Sequence, residues 1–199
     1  KNIRPIHSTK YEFWGTLVKT LAQVVALSLG ALIRVHAEEV PLVDRGAILV
    51  AWSDMTSLAR RVEAQSLSNL LSKSAIKLSE SRAVTSEMVA KRSKDDPERT
   101  VALKLLELSS EKSEELEDSD FAKKLFQAIL RDFLTYYSGM EAESWSRDRG
   151  SVTLHLGSDS GKRVSISFVQ ESDTWVLSDS TTVSLLHWWV CKTRVHSLL

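Results

Sequence analysis

One cysteine, Cys191, stands in the 199 residues, so no intramolecular disulfide can staple the fold and core packing must hold it. Cys191 itself reads as an inert, partly buried thiol without an activating neighbour. Close pairs of Cys, His or carboxylate with ligand spacing are also missing among His155, His187 and His196, so neither a metal nor a cofactor is expected. No catalytic constellation stands out, and no catalytic residue is assigned. The chain has no excess of either charge, with 26 basic and 26 acidic residues. Long apolar runs are scarce. Leu21–Ile33 (LAQVVALSLGALI) stops at thirteen residues, short of the about twenty that cross a bilayer.

That run carries the clearest signal of the chain. Lys10 and Lys19 precede it and Val35-His36-Ala37 follows it, which together make the basic, apolar and small-residue regions of a secretory signal peptide with Glu38 as the first mature residue. The expected organisation is a signal peptide or N-terminal anchor with an upstream extension over residues 1–37, then a single domain over 38–199. The expected location is periplasmic or secreted, with membrane anchoring through residues 21–33 as the alternative if they are not cleaved. Residues 1–37 hold five of the basic and one of the acidic residues, which leaves 21 basic and 25 acidic, a net charge of −4. A mildly acidic domain is a poor match to the phosphate backbone, so nucleic acid is excluded as a partner.

Ala47–Trp52 (AILVAW) suits a buried strand or the lead-in to a helix, since six residues cannot fix a period. Helical spacing follows from Ser53, at Met55, Leu58, Ala59 and Val62, and then shifts to Leu67, Leu70, Leu71 and Leu78. A short helix over Ser86–Arg92 with Thr85 as cap, a charged break at Lys91–Asp96 and a helix start at Asp96-Pro97-Glu98 come next. Ser109–Asp120 (SSEKSEELEDSD) reads as a solvated acidic run. From Ser119 to Gly139, Phe121, Leu125, Phe126, Ile129, Leu130, Phe133, Leu134 and Tyr137 cover two adjacent stripes, and a face that wide marks the core helix, capped by Gly139.

After it the apolar period drops to two, at Val152, Leu154 and Leu156, then at Val164, Ile166 and Phe168, then at Trp175 and Leu177. Gly157–Gly161 (GSDSG) is a hairpin turn rather than a nucleophile elbow, because Asp159 stands at its centre and strands flank it. His155 lies on the polar phase and is expected in solvent. Thr181–Leu199 suits a final strand closing the sheet, an aromatic contact surface or a foreign segment, with packing favoured. The predicted class is therefore α+β, with several N-terminal helices, within residues 53–139, packed on one face of a C-terminal antiparallel β-meander over about residues 151–190. If a ligand site exists, it lies between the core helix and the sheet, among Phe133, Tyr137, Trp145, Phe168 and Trp175.

Val164–Asp179 (VSISFVQESDTWVLSD) resembles the closing hairpin of the ketosteroid-isomerase-like superfamily, which also contains nuclear transport factor. The resemblance spans roughly residues 120–180 and implies a cone with an apolar cavity for small ligands, lipids or protein contacts. No residue of this chain matches a catalytic carboxylate or histidine of that group, so no activity is implied. The sequence thus leads to an exported, non-enzymatic domain that binds an apolar small molecule, a lipid or a partner protein. A membrane-anchored envelope assembly component is the alternative reading, and an enzyme of unknown reaction is the third.

Overall fold

The computed structural model describes residues 39–61 and 64–196. The signal-peptide expectation falls on residues that lie outside this range, as does Val62.

Helix α1 (Leu42–Arg60) enters through Pro41, whose fixed φ suits the first turn, and carries Asp44 near its N-terminus and Arg60 in its last turn, both complementing the helix dipole. Ile48, Trp52, Met55, Thr56 and Ala59 bury one stripe. The Ala47–Trp52 run is thus helix interior, and the helical region begins at Leu42 rather than Ser53. The period emerges only when Ile48 and Trp52 are joined to Met55 and Ala59.

A 3₁₀ segment, Ala64–Leu70, leads to four short helices: α2 (Lys73–Ser79), α3 (Arg82–Ala90), α4 (Arg99–Leu106) and α5 (Ser110–Glu114). Serine starts three of them. Ser72, Ser81 and Ser109 each accept a hydrogen bond from the amide three residues on, at Ala75, Val84 and Lys112. Ser81, not Thr85, therefore caps the helix expected over Ser86–Arg92. The Asp96 carboxylate accepts from the Glu98 amide at 2.8 Å, so the Asp-Pro-Glu sequence forms a turn and α4 begins just after it.

Helix α6 (Asp118–Tyr137) buries ten side chains across two stripes and packs against α1, the 3₁₀ segment, α3 and α4. This is the expected core helix. Its C-cap is Ser138 in a right-handed conformation, and Gly139 does not adopt the left-handed one assigned to it.

Strands β1 (Glu141–Asp148), β2 (Ser151–Gly157), β3 (Arg163–Glu171) and β4 (Thr174–Leu177) form an antiparallel meander in sequence order. Val152 opposes Phe168, and Leu154 opposes Ile166. These four with Leu156, Trp175 and Leu177 bury one face of the sheet in the same apolar cluster as α1 and α6. Arg149-Gly150 and Ser172-Asp173 join their strands with two successive positive φ values, the turn that follows the natural strand twist. The GSDSG segment is a hairpin turn, closed by the Ser158 amide donating to the Lys162 carbonyl at 3.0 Å.

Two limits of the expected stranded region change. The sheet begins at Glu141, because β1 (EAESWSRD) is an edge strand whose first half is exposed and shows no alternation. It ends at Leu177, because Asp179–His196 forms helix α7, which packs on α2, α6 and β3. Thr181, Thr182, Leu185, Trp189 and Thr193 are buried along α7 at helical spacing. Threonine and tryptophan favour strands when read alone, and this spacing overrides them. The Thr181 hydroxyl donates to the Ser167 carbonyl and accepts from the Ser167 amide, both at 2.8 Å, which completes the β3 ladder where β4 stops. The architecture is α+β, with most helices preceding an antiparallel sheet.

Candidate functional site

The five aromatic residues singled out in the sequence do not gather round one opening. Phe133 is buried edge-on against Tyr137, with ring centroids 4.8 Å apart, and against Trp188 at 5.4 Å. Burial is the main reason the Tyr137 hydroxyl titrates above the usual tyrosine value; neighbouring Tyr136 adds to the rise and a contact with Trp188 opposes it. Phe168 is buried opposite Val152 and Leu177. Trp145 is half-buried on β1 opposite Leu154. Trp175 is buried and lines a shallow groove with α1. Trp188, which the sequence left in an unassigned tail, is the residue that ties α7 to the α6 aromatics.

A cleft lies one turn earlier on the same α6 stripe, where α2 stands off the helix and α3 begins. It holds about 450 Å³. Leu71, Ile76, Ala122, Phe126 and Leu130 form its floor. Its rim is polar: the Gln127 amide donates to the Ser68 hydroxyl at 3.2 Å, and Thr85, Lys123, Glu80 and Asp120 stand around the mouth. Such a site holds an apolar body by burial and a polar end by hydrogen bonds or charge. Of the floor, Phe126 and Leu130 were legible as part of the core stripe. The opening was not, because it depends on where α2 seats relative to α6.

Other residues weighed in the sequence have mostly structural roles. His155 is half-buried on the open face of the sheet between the Ser146 hydroxyl at 3.1 Å and the Ser165 hydroxyl at 2.9 Å, so it is bonded rather than free in solvent. Cys191 is exposed, not partly buried, and the His187 imidazole one turn earlier lies 3.6 Å from its sulfur. The acidic run is held, not merely solvated: Arg92 donates to the carbonyls of Ser113 and Leu116 at 2.8 and 2.7 Å and pairs with Asp118, while Arg99 lies 3.6 Å from Glu114.

Lys91 is the most buried cation described. Its ammonium lies 2.8 Å from Glu87, 3.0 Å from Glu98 and 3.7 Å from Asp96, and Glu98 is itself buried. Burial alone would lower the lysine pKa, but the Glu87 and Glu98 carboxylates and then Asp96 together hold it above the ordinary value. Among the described residues no three His, Cys, Asp or Glu side chains converge as a metal site would require. No described helix is long and apolar enough to cross a membrane.

No family model, curated protein or solved structure matches the chain.

Proposed function

We propose that this chain is an exported, non-enzymatic binding domain whose α2–α3–α6 cleft takes an amphiphilic small molecule such as a fatty acid, with its apolar chain on Phe126 and Leu130. The observation that carries the reading is the cleft itself: about 450 Å³ with an apolar floor and a polar rim that includes Lys123, a volume within the usual range for small-ligand pockets. Export rests on the basic, apolar and small-residue pattern from Lys10 to Ala37. Kinship to the ketosteroid-isomerase-like superfamily is part of the same proposal and is supported by the Val164–Asp179 hairpin alone. This reading places the site not among Phe133, Tyr137, Trp145, Phe168 and Trp175 but along the turns of α6 that precede Phe133.

Titration of the full chain with a fluorescent fatty acid tests this reading. One saturable site is expected, and Ile76→Trp, which fills the cleft from its floor, is expected to weaken binding by about tenfold, or about 1.4 kcal/mol. Thermal melting of the same variant checks that the fold is kept. Absence of saturable binding, or binding indifferent to Ile76→Trp in a folded protein, sinks the proposal.

A further inference from the structure

The floor of the α2–α3–α6 cleft is also a partition. Leu71, Phe126 and Leu130 line the cleft on one side and border a narrow gap in the core on the other. Leu177 and Leu185 form the far wall of that gap, and Thr181 and Thr182 of α7 are the polar residues in it. All of these side chains are buried. The gap is too tight to hold a water molecule.

The two hydroxyls at the gap differ. That of Thr181 is engaged twice, with the carbonyl and the amide of Ser167. Thr182 is 2% exposed, and its Oγ1 has no hydrogen-bond partner among the described residues. A buried hydroxyl without a partner destabilises a fold, and a valine of the same shape would avoid that cost. Water does not relieve it, because none fits. A partner for Thr182 has to come from outside, and the shortest way in is the cleft, behind the side chains of Leu71, Phe126 and Leu130.

We infer that the ligand of this cleft carries a hydroxyl at the far end of its apolar chain, and that this end passes between Phe126 and Leu130 to bond the Thr182 hydroxyl. The inference rests on the fatty-acid reading of the cleft and narrows it to a chain that is polar at both ends. The rim meets the first polar end, with Lys123 standing among Ser68, Gln127, Glu80 and Asp120. Between rim and gap the lining is apolar, at Ile76, Ala122, Phe126 and Leu130, so the middle of the ligand is hydrocarbon. The far end must fit a tight space and supply a donor or an acceptor. A hydroxyl is small and does both, as threonine itself does. A carboxylate there would bring a charge that no cation in the gap neutralises. Lys123 and Leu130 are seven residues apart on α6, about 10 Å along the axis at about 1.5 Å per residue. A chain of medium length covers that distance.

The test is displacement of the fluorescent fatty acid by decanoate, dodecanoate and tetradecanoate, each with and without a terminal hydroxyl, from the full chain and from its Thr182→Val variant. At least one hydroxylated acid is expected to bind the wild type at least about threefold more tightly than its plain counterpart. Thr182→Val is expected to bring that ratio to about one. The variant should melt no lower than wild type, as removal of an unpartnered hydroxyl requires. A ratio of about one at every chain length in wild type, or a preference that Thr182→Val leaves intact, overturns the inference while the cleft reading stands. So does a variant that melts well below wild type, which shows that the hydroxyl is already bonded within the fold. Absence of saturable binding by the fluorescent acid overturns the cleft reading itself, and this inference with it.

Discussion

Helices α1 and α6 are nearly equal in length, 19 and 20 residues, and both are rich in apolar side chains, yet they use them in opposite ways. α6 buries ten side chains and keeps Lys123, Lys124 and Tyr136 outward. α1 buries five and leaves an equally apolar patch bare over its first half. An apolar residue becomes core only when elements exist on every side to cover it. α6 is packed by α1, α3, α4 and the 3₁₀ segment, whereas α1 has β4, α6 and the 3₁₀ segment on one side only. What distinguishes the two helices is therefore the number of covered sides, a quantity that no local window of sequence contains.

The comparison breaks most readily on α6. Phe133→Ala is expected to cost about 3–5 kcal/mol in urea unfolding, by lost transfer energy and a cavity between Tyr137 and Trp188; a loss below about 1 kcal/mol would show that α6 is not the core. Lys91→Met should cost about 3 kcal/mol, because it strands the buried Glu98 carboxylate, and Glu98→Gln in addition should recover much of that loss.

The same site sets an alkaline limit. A lysine pKa raised by folding stabilises the fold fully below the ordinary value of about 10.4, and that contribution is lost as pH rises through the folded-state value. Wild type should therefore lose stability at alkaline pH more steeply than Lys91→Met, measured by unfolding across that range. Thr181→Val should cost about 1–3 kcal/mol, since it leaves the Ser167 amide in the middle of β3 without a partner, while the Ser167 carbonyl keeps the Ser178 amide. On α1, Val43→Ser and Val50→Ser should change stability in lipid-free solution by no more than about 0.5 kcal/mol. A larger loss would mean that this face is covered after all.

The residues that announced themselves share one property, a long and regular period. The α6 double stripe and the alternation of β2 and β3 span enough residues for period and burial to coincide, and the α+β class followed from them. β1 was silent because an edge strand that is largely exposed need not alternate, and Trp145 is its only large apolar residue. α7 was misread because its buried threonines and tryptophans have strand-like side chains, while the spacing of Leu185 and Trp189 is helical. The candidate cleft was half legible. Phe126 and Leu130 were placed on the core helix, but whether a stripe is covered or open is decided by α2 and α3, which are too short to predict their own seating.

The two borders of the sheet carry a further consequence. β4 is flanked by Leu71, and the Ser72 amide donates to the Leu177 carbonyl at 2.8 Å. β1 breaks register between Ala142 and Ser144, where the Glu143 side chain lies across Gly157 and reaches Arg163 at 3.2 Å. A foreign strand meets a chain already in place at one border, and a kinked strand at the other. Growth of the sheet from molecule to molecule, the usual route from a folded β-protein to a fibre, is discouraged at both ends. Self-association of this domain at high concentration should therefore run through side chains, and the exposed leucines and valines of α1 are where crowding should show itself first.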